Sequence, residues 1–394
     1  MQLLDRGAAL AIAPIWRLGF RPFFLGGALF ALIAVALWGA ALAGHASLQP
    51  HGGLLAWHRH EMLFGFGLAI IAGFLLTAVQ TWTGQPSLSG RPLAALFAVW
   101  AAGRLVWFVP LPWAVLALVE LAFAVALVLA FGRLIVKARQ KHNAPIVVVL
   151  GLLGACQALA LYGVGQADDD LQRRGTLAAL WLVAALMGII GGRVIPFFTQ
   201  RGLGLASQAP AKPWLMWSLL GGSLAIAVLT AAGFNQRPLP LLAPLFLLVA
   251  TLHGLRLRLW YHADIWRVPL LWSLHLAYAW MALAALGMAA WHLGLLQQPS
   301  LASHALAVGA MGGLILAMLA RVSLGHTGRP LTPPRAMAWA FALLHGATLC
   351  RVLLAGISVY GLWLAAAGWC LAFAIFLRHY APMFWRARVD GHPG

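Results

Sequence analysis

The chain has 394 residues, 63% of them hydrophobic and 9% charged, with a mean hydropathy of +0.89. A soluble domain carries about a quarter charged residues, so this composition excludes one and indicates a polytopic membrane protein. The formal net charge of +18 brings nucleic acid to mind as a partner, but the placement of the charges argues against it.

In chain order, twelve apolar runs are of the length that crosses a bilayer, roughly 17–25 residues. They are 22–44, 62–81, 92–109, 112–132, 145–164, 176–196, 214–233, 239–259, 268–292, 301–320, 336–356 and 359–379. The first, Pro22 to Ala43, is too long and too poor in cleavage-site features for a removable signal. With the N-terminus inside, 20 of the 26 Lys and Arg fall in cytoplasmic segments and 4 in outer ones, with Arg104 and Arg351 inside spans. That is the positive-inside bias, and it puts both termini in the cytoplasm. Connections such as VPLPW at 109–113 and NQRPLP at 235–240 are short. The reading is an all-α bundle of about 12 transmembrane helices forming one membrane domain over 1–394.

Two spans carry one pattern. From His60 the chain reads HEMLFG and ends in TWTGQP at Pro86; from His304 it reads HALAVG and ends in GHTGRP at Pro330. Gly65 and Gly309, Thr83 and Thr327, and Pro86 and Pro330 keep equal spacing from their histidines without a gap. Arg193, Thr199 and Arg201 extend a weaker match to span 6, which suggests a repeat of spans 2, 6 and 10. An imidazole opening each of two related helices makes His60 and His304 the expected axial pair of a flat metal cofactor.

His58 lies two residues before His60, about 200° away on a regular helix, so it faces elsewhere. It serves either a second metal or a polar cap at the water boundary. His253 and His275, on consecutive spans and each about 10 Å from the cytoplasmic edge by helical rise, form a second group. Either they hold a metal, with His345 as a further member, or they bond to a backbone carbonyl or to Tyr278. Glu61 and Glu120 are the only glutamates. Glu120 lies about 12 Å inside the outer boundary; proton delivery and pairing with Arg104 are the two readings. Arg104 and Arg351 snorkel or bind the carboxylates of a cofactor. The three cysteines lack CxxC spacing and read as packing residues. No P-loop, dinucleotide fingerprint, nucleophile elbow or CxxCH motif is present, so a haem would be non-covalent.

LGFRPFF at 18–24, WHRHEMLFGF at 57–66, GGRVIPFFTQRG at 191–202 and RVSLGHTGRP at 321–330 resemble the NnrS family of bacterial membrane proteins over essentially the whole chain. The resemblance implies haem b, copper, nitric oxide as the small molecule handled, the bacterial inner membrane and relief of nitrosative stress. It does not assign a metal to a histidine. The leading expectation is a nitric-oxide-handling haem-copper protein, as an oxidoreductase reducing nitric oxide to nitrous oxide in denitrification. An unidentified electron donor would supply it, and Glu61 and Glu120 would relay protons. The alternatives are a non-enzymatic metal or metabolite transporter and a haem-based sensor.

Overall fold

Long apolar runs leave the backbone no partner but itself in hydrocarbon, and helices satisfy every N–H and C=O within the segment. In the computed structural model, which describes residues 6–393, the twelve runs all fold that way and no strand is present among the described residues. We number the helices α1 Phe20–Leu42, α2 Leu54–Thr83, α3 Gly90–Val106, α4 Trp113–Lys137, α5 Ala144–Gly165 and α6 Asp169–Leu203. The second half comprises α7 Pro213–Ala231, α8 Ala243–Trp260, α9 Pro269–His292, α10 Pro299–His326, α11 Ala336–Leu354 and α12 Tyr360–Trp385. Eleven are long and apolar enough to cross a membrane; α3, with 17 residues, is the shortest. The chain is an integral membrane protein. Pro213, Pro269 and Pro299 open their helices at the position where a missing N–H costs nothing.

Two helices are not α-helical throughout. In α2 the α-helix stops at His60 and a π-helical stretch runs over Glu61–Gly67; in α10 it stops at His304 and a π-helical stretch runs over Ala305–Gly312. The widened turn thus begins one residue after each repeat histidine, and such turns concentrate at functional sites. A third π segment, Cys350–Leu354, closes α11 and holds the half-buried Arg351. Helix α6 is α-helical along its whole length. The π geometry therefore marks spans 2 and 10 as counterparts and does not extend to span 6.

The chain, read from sequence as one domain, packs as two compact units. The first comprises Met1–Thr176, Leu319–Thr332 and Phe376–Gly394; the second comprises Leu177–Met318 and Pro333–Ile375. In the first unit, α1 packs on α2, α3 on α4, and α4 on α5. Trp57, Trp107, Leu116, Leu161 and Ala34 form a buried apolar cluster there. In the second, α8 packs on α9, which also covers the π segment of α10.

Candidate functional site

The first unit buries a charged network at the start of the π segment in α2. His60 is the last α-helical residue and Glu61 the first π-helical one; both are fully buried. The His60 Nδ1–H donates to Glu61 Oε1 at 2.9 Å. From α3, Arg104 places Nη1 3.0 Å from Glu61 Oε2. Its Nη2 donates to both oxygens of Glu120 on α4, at 2.8 and 2.6 Å. Trp107 Nε1 donates to Glu120 Oε1 at 2.9 Å. From α5, the amide nitrogen of Gln157 lies 3.3 Å from His60 Nε2 and 3.4 Å from Glu120 Oε2. One guanidinium thus bridges two buried carboxylates, and an imidazole hangs from one of them.

Neighbours close the network to water. The His60 ring packs 4.8 Å from Trp107 and 4.9 Å from Phe64, centroid to centroid. Arg104 lies over Phe30 and Trp100, and the Trp100 indole donates to the Gly65 carbonyl. Two glycines make the space. A Cβ on Gly65 would overlap Arg104 Nη1 and stand 2.9 Å from Glu61 Oε2; one on Gly103 would stand 3.0 Å from Glu120 Oε1. Gly65→Ala must therefore drive the guanidinium from between its carboxylates. It is expected to lower the apparent melting temperature of the purified protein, with a cost of about 1–3 kcal/mol. Gly151→Ala on α5 meets nothing within 4 Å and should leave that temperature unchanged or slightly raised, since Ala is the better helix former. Equal melting temperatures for the two variants would contradict the packing described.

Among the described residues, His60, Glu61 and Glu120 bring three potential ligand atoms within 4.8 Å of one another. The other sequence-selected residues lie elsewhere. His58 turns away from His60, as its spacing predicts, and stacks on Trp38 at 4.2 Å. Arg59, beside it, is bound by Asp169 and Gln172. In the second unit, His304 Nδ1 donates to the Ser300 carbonyl at 2.7 Å, and Ala305 occupies the place that Glu61 holds after His60. Gly309 faces Trp280 and Thr348 where Gly65 faces Arg104 and Glu61. The repeat thus conserves backbone geometry and one imidazole, but not the carboxylate.

His253 Nδ1 lies 2.9 Å from the Tyr278 hydroxyl, and His275 Nδ1 donates to the Leu271 carbonyl at 2.9 Å. Both hydrogen-bonding partners weighed from the sequence, Tyr278 and a backbone carbonyl, are thus in use, and His275 also lies beside the Trp260 backbone. His253 Nε2 is buried without a hydrogen-bond partner. His345 accepts from Trp280 Nε1 at 3.3 Å. His292, the last residue of α9, is fully buried: it accepts from the Leu239 backbone N–H and lies 2.8 Å from Asn235 Oδ1. Gln157 was missed, although a lone amide in an apolar span is itself a signal.

A polytopic helical membrane protein with a buried histidine–carboxylate–arginine network on a π-helical turn is the class that fold and site define. The chain belongs to the NnrS family, whose model, described as NnrS protein, matches residues 14–388. No curated protein matches it.

Proposed function

We propose that this NnrS protein is a haem- and copper-binding protein of the bacterial inner membrane that handles nitric oxide, and that it reduces nitric oxide to nitrous oxide. The balanced reaction is 2 NO + 2 e⁻ + 2 H⁺ → N₂O + H₂O, the electrons coming from a donor yet to be identified. The observation that carries the reading is the Nδ1–H of His60 held by Glu61. Metal-bound histidines are oriented in this way, with a carboxylate or carbonyl accepting from the ring nitrogen that does not bind metal. His304 has the same arrangement, with the Ser300 carbonyl as acceptor.

These residues fit a non-covalent metal group in donor chemistry. With Nδ1–H committed to Glu61, His60 Nε2 is the nitrogen that carries a lone pair, and the Gln157 amide must turn aside for a metal to reach it. His60 and His304 would hold the haem through their ring nitrogens. A bound haem would relay electrons, and nitric oxide would be taken up at a second metal group. His253 and His275 are proposed as a second, copper-binding group, with His58 and His345 as lesser candidates and Arg351 as a carboxylate-binding cation. The chain's own contribution beside His60 is a proton store. Glu61 and Glu120 share one arginine, so the trio carries one negative charge in excess when both acids are ionised. A proton taken up there neutralises it.

The test is the absorption spectrum and metal content of the purified full-length protein. The expected result is a low-spin b-type spectrum that is lost in His60→Ala and in His304→Ala, with copper lowered in His253→Ala. Glu61→Gln should weaken metal retention by roughly 10–100-fold, the usual cost of losing an orienting partner. Wild-type protein with neither haem nor copper would overturn the reading and leave the transporter. Bound haem without nitric oxide consumption would favour the sensor.

A further inference from the structure

At the other end of the first unit, the cytoplasmic end by the charge bias, Arg21 on α1 is fully buried. Its Nη1 donates to three backbone carbonyls at the end of α12 and beyond: Met383, Phe384 and Arg386, at 3.3, 3.0 and 2.8 Å. Its Nε and Nη2 have no acceptor among the described protein atoms. Those two nitrogens form the side edge of the guanidinium, the pair of parallel N–H groups that grips two oxygens of one phosphate or carboxylate. Nη1 is anchored, and the edge that recognises an oxyanion is left over.

The surroundings are cationic. Arg21 feels the positive charge of Arg17, Arg388 and Arg329. Arg17 is spent on the carbonyls of Ile12, Leu10 and Pro393. Arg388 is spent on Asp390 and the His326 carbonyl. Arg329 keeps a buried Nη1 without a partner. Among the described residues, Asp390 offsets one of these four charges. A fully buried cation with two unused donors, inside a group of like charges, is costly unless an anion compensates it.

We infer that Arg21, assisted by Arg329, binds a phosphate group through its Nε/Nη2 edge. A phosphate presents more than two oxygens, so it can meet both Arg21 and Arg329, whereas a carboxylate has only two. The phosphate comes either from an acidic phospholipid of the cytoplasmic leaflet or from free phosphate, and the site's chemistry is the same for both. This inference is independent of any metal at His60.

The experiment uses the purified full-length protein in neutral detergent. Its thermal unfolding is followed by tryptophan fluorescence while sodium phosphate, or phosphatidylglycerol in mixed micelles, is titrated in. Sodium chloride at matched ionic strength and phosphatidylcholine are the controls. A saturable rise in midpoint with phosphate identifies the free ion, and one with phosphatidylglycerol alone identifies the lipid. Arg21→Lys keeps the charge but loses the fork, and should weaken the apparent affinity roughly 10–100-fold, the scale of lost charge-assisted hydrogen bonds. Arg329→Gln, which leaves the Arg21 anchor intact, should weaken it in the same direction and decides the question if Arg21→Lys does not fold. No saturable rise with either ligand, or a rise unchanged in the folded variants, overturns the proposal.

Discussion

Arg104→Met is expected to abolish accumulation of folded protein. The substitution keeps length and apolar bulk but removes the cation that bridges Glu61 and Glu120, both buried to within 2%. Breaking a buried ion pair from one side costs about 3–5 kcal/mol, because the remaining charge is left without compensation; here two carboxylates are stranded together. That approaches the 5–15 kcal/mol net stability typical of a domain. The same logic predicts rescue. Arg104→Met combined with Glu61→Gln and Glu120→Gln removes every charge from the trio and should recover much of the folded yield, measured as the monodisperse fraction in size-exclusion chromatography. A single variant that expresses like wild type, or a triple variant no better than the single, would show that the network does not support the fold.

On the proposed function, Glu120→Gln is expected to give the second large effect, on turnover rather than on folding. The amide keeps shape and still accepts from Trp107, while Arg104 retains Glu61 as counter-ion. Folded yield and cofactor content should therefore stay close to wild type. The variant cannot take up and release a proton at that position. Loss of a positioned acid or base slows a reaction by roughly 10²–10⁴-fold, so nitric oxide consumption under a fixed electron supply should fall within that range. Consumption at the wild-type rate would leave Glu120 a purely structural partner of Arg104. Loss of folded protein would place its role in the ion pair.

The spans were legible because the hydrocarbon core dictates length and composition, and all twelve runs fall on helices. The His60/His304 repeat was legible as spacing, yet its physical content was not. The π-helical turn after each histidine breaks the 3.6-residue periodicity on which a helical reading rests, so no wheel drawn from the sequence places Glu61 correctly against Arg104. The Arg104–Glu120 contact was within reach, since α3 and α4 form a tight hairpin. Glu61 as a third member depends on how α2 packs against that hairpin, and Gln157 on how α5 does. Neither is encoded locally. Arg21 was not legible for a different reason: an arginine at the inner end of a span looks like one more topological charge until its burial is known.

The Arg104–Glu120 pair bears on how the protein enters the membrane. A charged residue in a lone helix costs up to about 2.5–3.5 kcal/mol to insert, the full amount at the helix centre, and α3 is the shortest of the described spans. The pair is sixteen residues apart, and Trp107 in the connecting turn bonds to the same carboxylate. The hairpin can thus neutralise itself before it meets anything else, and α3 and α4 leave the translocon best as one object. Glu61, made earlier, waits for the free side of that guanidinium. The charged part of the site is complete once α4 has been synthesised, before any of the second unit exists.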